Sequence, residues 1–159
     1  MFLLLLALAL VVGVLHGRRK GFQSRQQYAE LLIVYLLAGY CGFLMLGVSV
    51  WGMISPESAA DMLDTEPGNP FQRFFLVAYL GMSVMACLSI WIRDTYLVAN
   101  IICWSIYWFG ATVLHMLEYA EAGRLSMHLG LIILGTHALV PVLLIGLLVV
   151  VYPKEPLNT

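Results

Sequence analysis

The chain has 159 residues, of which 62% are apolar and only 11% charged, with a formal net charge of −1 and a mean hydropathy of +0.91. A water-soluble domain of this length cannot hide that much apolar surface, so the composition indicates a single-domain integral protein of a lipid bilayer. No basic or acidic run suggests nucleic acid. The three cysteines, Cys41, Cys87 and Cys103, are odd in number, lie in apolar runs and lack the spacing of a disulfide framework or a Cys-x-x-Cys centre.

Met1 to Leu15 is almost wholly apolar and is followed by His16, Gly17, Arg18, Arg19 and Lys20. The charges come after the apolar run, the reverse of a secretory leader. The segment reads as a retained anchor, span 1–16, with the N-terminus outside and the basic cluster in the cytoplasm. Ser24 and Gln27 form a capping box that opens span 27–54, with Glu30 in an early turn where the helix dipole favours a carboxylate. Ala38 and Gly42, four apart, let another helix approach closely.

Ser55-Pro56-Glu57 combines a cap, a proline at the first helical position and an early acid, and predicts a short amphipathic helix in the outer loop 55–69. Asn69-Pro70-Phe71-Gln72 repeats that chemistry and opens span 70–92. Arg93 suits a helix C-terminus and Asp94 can cap the next helix, which gives span 96–119. Ser126 can cap span 127–152, which Pro153 and Pro156 stop. The whole chain, 1–159, thus reads as one all-α bundle of five transmembrane helices. With the C-terminus cytoplasmic, Arg18, Arg19, Lys20, Arg25, Arg93 and Lys154 lie inside and only Arg73 and Arg124 outside, as the positive-inside rule requires. Trp51, Trp91, Tyr119 and Tyr152 fall near span ends, where interfacial aromatics belong. The expected location is the cytoplasmic, or inner, membrane.

Within the fourth span, Asn100, Trp104, Tyr107, Trp108, Ala111, His115 and Glu118 recur at helical spacings of three and four. This stripe is the expected lining of any ligand or ion path. His115, Glu118 and His128 have the residue types of a zinc, iron or copper shell; the competing reading is an interfacial pair in which Glu118 charges or bonds His115. His137 lies near the middle of the fifth span, four residues before Pro141, which cannot donate to its carbonyl. Ring and backbone both need a partner there. A tyrosine-bonded structural histidine and a polar focus on a ligand, proton or cofactor path are the two readings. Depth counting places no two histidines level in the core, which argues against a bis-histidine haem.

The words Gly68-Asn69-Pro70-Phe71-Gln72, Leu80-Gly81, Ser89-Ile90-Trp91-Ile92-Arg93, Ser105-Ile106, Gly110-Ala111 and His115 with a polar residue three on carry a resemblance. Over about Gly68 to Pro141 the chain resembles an uncharacterised family of small prokaryotic multi-pass membrane proteins, a domain of unknown function. The resemblance implies a glutamate two positions after the Phe-Gln pair and an aspartate early in the last helix. Phe74 and His128 or Leu129 stand at those places here. It implies the architecture and no activity.

No nucleophile motif, His-rich box, glycine-rich phosphate loop or arginine ladder is present, so the chain reads as no enzyme, and no cofactor is specified. The leading expectation is a non-enzymatic subunit or scaffold of a larger membrane complex, with other membrane subunits or copies of itself as partners. The alternatives are a small transporter or channel for protons, an ion or a small apolar molecule, and a membrane metal or haem protein.

Overall fold

The computed structural model describes residues 2–63, 66–122 and 137–152, apart from the side chains of residues 61–63, 118 and 122. Among these every regular element is a helix: α1 (Phe2–Arg19), α2 (Arg25–Ile54), α3 (Pro56–Leu63), α4 (Pro70–Leu88), α5 (Thr95–Ala122) and α6 (Leu139–Val151). By length and composition α1, α2, α4 and α5 can each cross a bilayer, while the described part of α6 is shorter. The rest of the expected fifth span, 127–136, lies outside the described residues.

Local chemistry sets the helix starts. Ser24 Oγ accepts from Gln27 N at 3.1 Å, and Gln27 Oε1 accepts from Ser24 N at 3.3 Å, so the capping box forms. Asn69 Oδ1 accepts from Gln72 N at 2.7 Å with Pro70 in the first turn. Gln72 does not close that box on Asn69. Its Oε1 accepts from Gly68 N, and its Nε2 donates to Pro56 O at 2.6 Å, tying α4 to the start of α3. Ser55 Oγ pairs with Ser58 Oγ at 2.9 Å. The α1–α2 turn closes through Gly21, which takes a left-handed φ of +71°.

The expected third span, 70–92, stops early as a helix, at Leu88. The cause is a carbonyl. In a continuing helix Met85 O would accept from Ser89 N. Instead it accepts from Tyr96 Oη at 2.7 Å and Asn100 Nδ2 at 2.9 Å, and Ser89 N turns to Ala86 O at 3.2 Å. Arg93 then donates to Ile90 O at 3.1 Å, and Asp94 takes a left-handed φ of 56° in the turn.

α2 is the central helix. It packs against α1, α4 and α6, and its end carries α3. Its middle, Tyr35–Leu44, is wound as a π-helix, a wide form that occurs mostly in short pieces and often at functional sites. Leu36, Leu37, Ala38, Tyr40, Cys41 and Gly42 of this segment are all buried. Gly42 meets the expectation of close approach, since a Cβ on it would lie 2.7 Å from Cys87 Sγ; Ala38 is buried in the same segment. α1 is held by Gly13 and Gly17, which face Tyr35 and Tyr28, and by His16 Nδ1 to Tyr35 Oη at 2.8 Å.

At one end of the bundle, Arg93 Nη1 in the α4–α5 turn lies 3.7 Å from Glu30 Oε1 near the start of α2. Tyr152, just past α6, is beside them. Its phenol lies within electrostatic reach of Asp94 and Glu30. The α1–α2 turn, the α4–α5 turn and the end of α6 therefore share one face. Trp51, Trp91, Tyr119 and Tyr152 are exposed near helix ends. All three cysteines are free thiols.

Candidate functional site

The α5 stripe divides into three parts. At its first turns Asn100 is buried and holds the α4–α5 hairpin, donating to Met85 O and to Ser89 Oγ at 3.0 Å. Its Oδ1 has no partner among the described residues. The helical spacing that made it a lining residue did not reveal these bonds to the preceding helix.

The middle of the stripe is an aromatic cluster. Trp104 and Trp108, 0% and 1% exposed, stand 5.0 Å apart between ring centres. Tyr79 of α4 lies 5.5 Å from Trp104 and 5.2 Å from Tyr107. Phe75 extends the stack at 5.3 Å from Tyr79, and Tyr40 of the π-wound segment meets Trp108 edge-on at 6.0 Å. These offset and tilted arrangements suit ring quadrupoles. Tyr79 Oη reaches Met45 Sδ at 2.9 Å. Tyr40 Oη, Trp104 Nε1 and Ser105 Oγ are buried without a hydrogen-bond partner among the described residues. α2 delivers Tyr40 and α4 delivers Tyr79 to this cluster. The π winding that presents Tyr40 has no signature in the sequence, since no proline or charge interrupts Tyr35–Leu44.

The far part of the stripe carries the histidines. His115 on α5 and His137 beside α6 face each other with ring centres 5.8 Å apart and planes 16° from parallel. The expectation that no two histidines stand level is corrected here: counting along helix axes gives only Cα heights, and the rings meet across them. His137 and Ala138 form a wide π turn before α6, in keeping with Pro141, which offers no N–H to the His137 carbonyl. His137 Nδ1 is buried without a hydrogen-bond partner among the described residues. Ala111 is half-buried between the two parts. Of the metal trio His115, Glu118 and His128, only His115 can be placed: the Glu118 side chain and His128 lie outside the described residues. Among the described residues no three His, Cys, Asp or Glu side chains converge.

A family model described as a family of unknown function, DUF6790, matches residues 1–156. The chain belongs to that family. The match extends over α1 and α2, which the resemblance from Gly68 onward did not cover, so the π-wound helix and the aromatic cluster fall within the family domain. No curated protein and no solved structure matches the chain.

Proposed function

We propose that the protein is a non-enzymatic, multi-pass subunit or scaffold of the cytoplasmic membrane that works by binding other membrane helices or further copies of itself. Five spans with the N-terminus outside and the C-terminus in the cytoplasm account for the three chain segments that share one face and for the six-to-two distribution of Lys and Arg.

The observation that carries the reading is the placement of glycine. Gly42 and Gly52 are spent on contacts within the bundle, but Gly39 and Gly47 of α2, Gly81 of α4 and Gly146 of α6 are exposed with nothing within 4 Å of a built Cβ. Gly39, Phe43 and Gly47 share one outward face of the central helix. In a bilayer, small residues on an outer face let a second helix approach closely, and such packing is the main source of association there. The aromatic middle of the stripe is filled by its own side chains, which favours a packed body over a channel at that level.

Gentle solubilisation followed by native mass measurement tests this. A complex, or a self-assembled oligomer that Gly39→Ile with Gly47→Leu dissociates, is the expected result. A clean monomer with no co-purifying chain would end the reading.

The facing histidines favour a second reading, transport of protons, an ion or a small apolar molecule along Asn100, Tyr107, His115, Glu118 and His137. Flux in proteoliposomes that is the same for wild type and His137→Ala would remove it.

A further inference from the structure

We propose that His115 and His137, facing each other between α5 and α6, form a two-histidine binding site for an exchangeable transition-metal dication of the zinc, copper or nickel class. The site differs from the sequence-based trio, since its second imidazole is His137. It goes beyond the subunit reading and holds whether or not a partner chain is found.

Spacing is the first argument. A zinc–imidazole bond of about 2.0–2.1 Å puts the ion about 3.2 Å from a ring centre. Two rings on one ion then stand about 5.2 Å apart at a tetrahedral angle and about 6.4 Å apart in line. The observed 5.8 Å falls between those limits. It is wide for two rings in face-to-face contact. With the planes 16° from parallel the in-plane nitrogen lone pairs do not converge as the rings stand, so coordination requires the imidazoles to turn about their side-chain torsions toward a shared ion.

The second argument is the state of His137. Its Nδ1 is buried with no hydrogen-bond partner among the described residues. A buried polar nitrogen without a partner is costly, and a coordinate bond relieves it as well as a hydrogen bond does. Intramembrane imidazoles are rare and mark function more often than other positions do.

Donor type sets the ligand class. Neutral imidazoles suit zinc, copper and nickel, while magnesium and calcium require oxygen cages. No group of three candidate ligands converges among the described residues. A site with two protein nitrogens leaves coordination positions open to water or an anion, which fits an ion that is bound and released rather than a closed structural centre.

The test uses tag-free, full-length protein in detergent, stripped with a chelator. Co2+ is titrated and followed by its visible absorption, and Zn2+ is measured per chain after equilibrium dialysis. The expected result is one ion per chain, with affinity lowered beyond the about 10–100-fold typical of outer-shell changes in His115→Gln and in His137→Gln. His16→Gln should bind as wild type does, because His16 is engaged with Tyr35 between α1 and α2. Zn2+ should raise the thermal midpoint of wild type and leave that of His137→Gln unmoved. Wild-type protein that takes up no Co2+ or Zn2+ overturns the proposal. So does uptake that persists at full stoichiometry in the double His→Gln variant.

Discussion

Gly42 of α2 lies against Cys87 of α4 so closely that a Cβ on it would stand 2.7 Å from the Cys87 Sγ, 2.9 Å from its backbone nitrogen and 3.2 Å from its Cα. A sulfur can swing away, but two of these atoms are backbone. The contact sits in the π-wound segment, where α2 and α4 pack most closely. Gly42→Ala should therefore part the two helices and destabilise the bundle by about 1–3 kcal/mol, the usual range for overpacking. Gly81→Ala is the matched control. Nothing lies within 4 Å of its built Cβ, and alanine is the better helix former, so its stability in detergent should equal or exceed wild type. Thermal unfolding of the two variants side by side reads the difference.

Tyr96 and Asn100 both donate to the carbonyl of Met85. Either alone keeps that oxygen satisfied, so Tyr96→Phe should cost little. Asn100→Ala also frees Ser89 Oγ and should cost about 0.6–1.7 kcal/mol, the range for interhelical hydrogen bonds in membranes. With both gone, the carbonyl has no donor from α5. The double variant should then lose more than the sum of the single losses. A double-mutant cycle on unfolding midpoints checks this, and strict additivity would show that Met85 O is not shared.

Local chemistry was the part of this fold most open to reading in advance. Ser24 with Gln27, and Asn69 with Pro70, define their helix starts within four residues, and those starts appear where the residues place them. Non-local choices were not legible. The end of α4 at Leu88 depends on side chains of α5 taking a carbonyl that a straight helix would have used. The central role of α2 depends on the π winding of Tyr35–Leu44, whose residues are ordinary for an α-helix. The stripe on α5 was legible as a pattern because helical spacing groups its members. Its roles were not, because spacing cannot tell a bond to the end of the preceding helix, as at Asn100, from packing, as at Trp104, or from a facing ring on another helix, as at His115.

The Arg93–Glu30 pair spans 3.7 Å between side chains that are 35% and 44% exposed. Such a pair is worth about 0–1 kcal/mol and is screened by salt. Glu30→Gln should lower the unfolding midpoint slightly at low ionic strength and have no effect at high salt. Arg93→Ala should cost more, with a part that salt does not remove, because Arg93 also donates to Ile90 O at the end of the α4 turn. Unfolding scans of both variants across a salt series separate the two contributions.

Tyr40 and Trp104 make opposite demands on the same cluster. Their rings pack against Trp108, while Tyr40 Oη and Trp104 Nε1 have no hydrogen-bond partner among the described residues. A buried donor left unmade costs about 1–3 kcal/mol, whereas removing it with little change of shape is often neutral or favourable. Tyr40→Phe keeps the ring and removes the orphan hydroxyl, so its stability should match or exceed wild type. Trp104→Phe removes the indole N–H but also shrinks the ring, and these effects oppose each other; a modest loss is expected. Trp104→Ala takes away the ring altogether and should cost about 3–5 kcal/mol by leaving a cavity among Tyr79, Tyr107 and Trp108. Tyr79→Phe serves as the contrast, since its hydroxyl is engaged with Met45 Sδ and its loss should be felt. The order Tyr40→Phe, then Tyr79→Phe and Trp104→Phe, then Trp104→Ala, from most to least stable in detergent unfolding, is the signature of a packed aromatic core. A large loss in Tyr40→Phe would instead mean that its hydroxyl holds a bound molecule, and the middle of the stripe would then return as a ligand site.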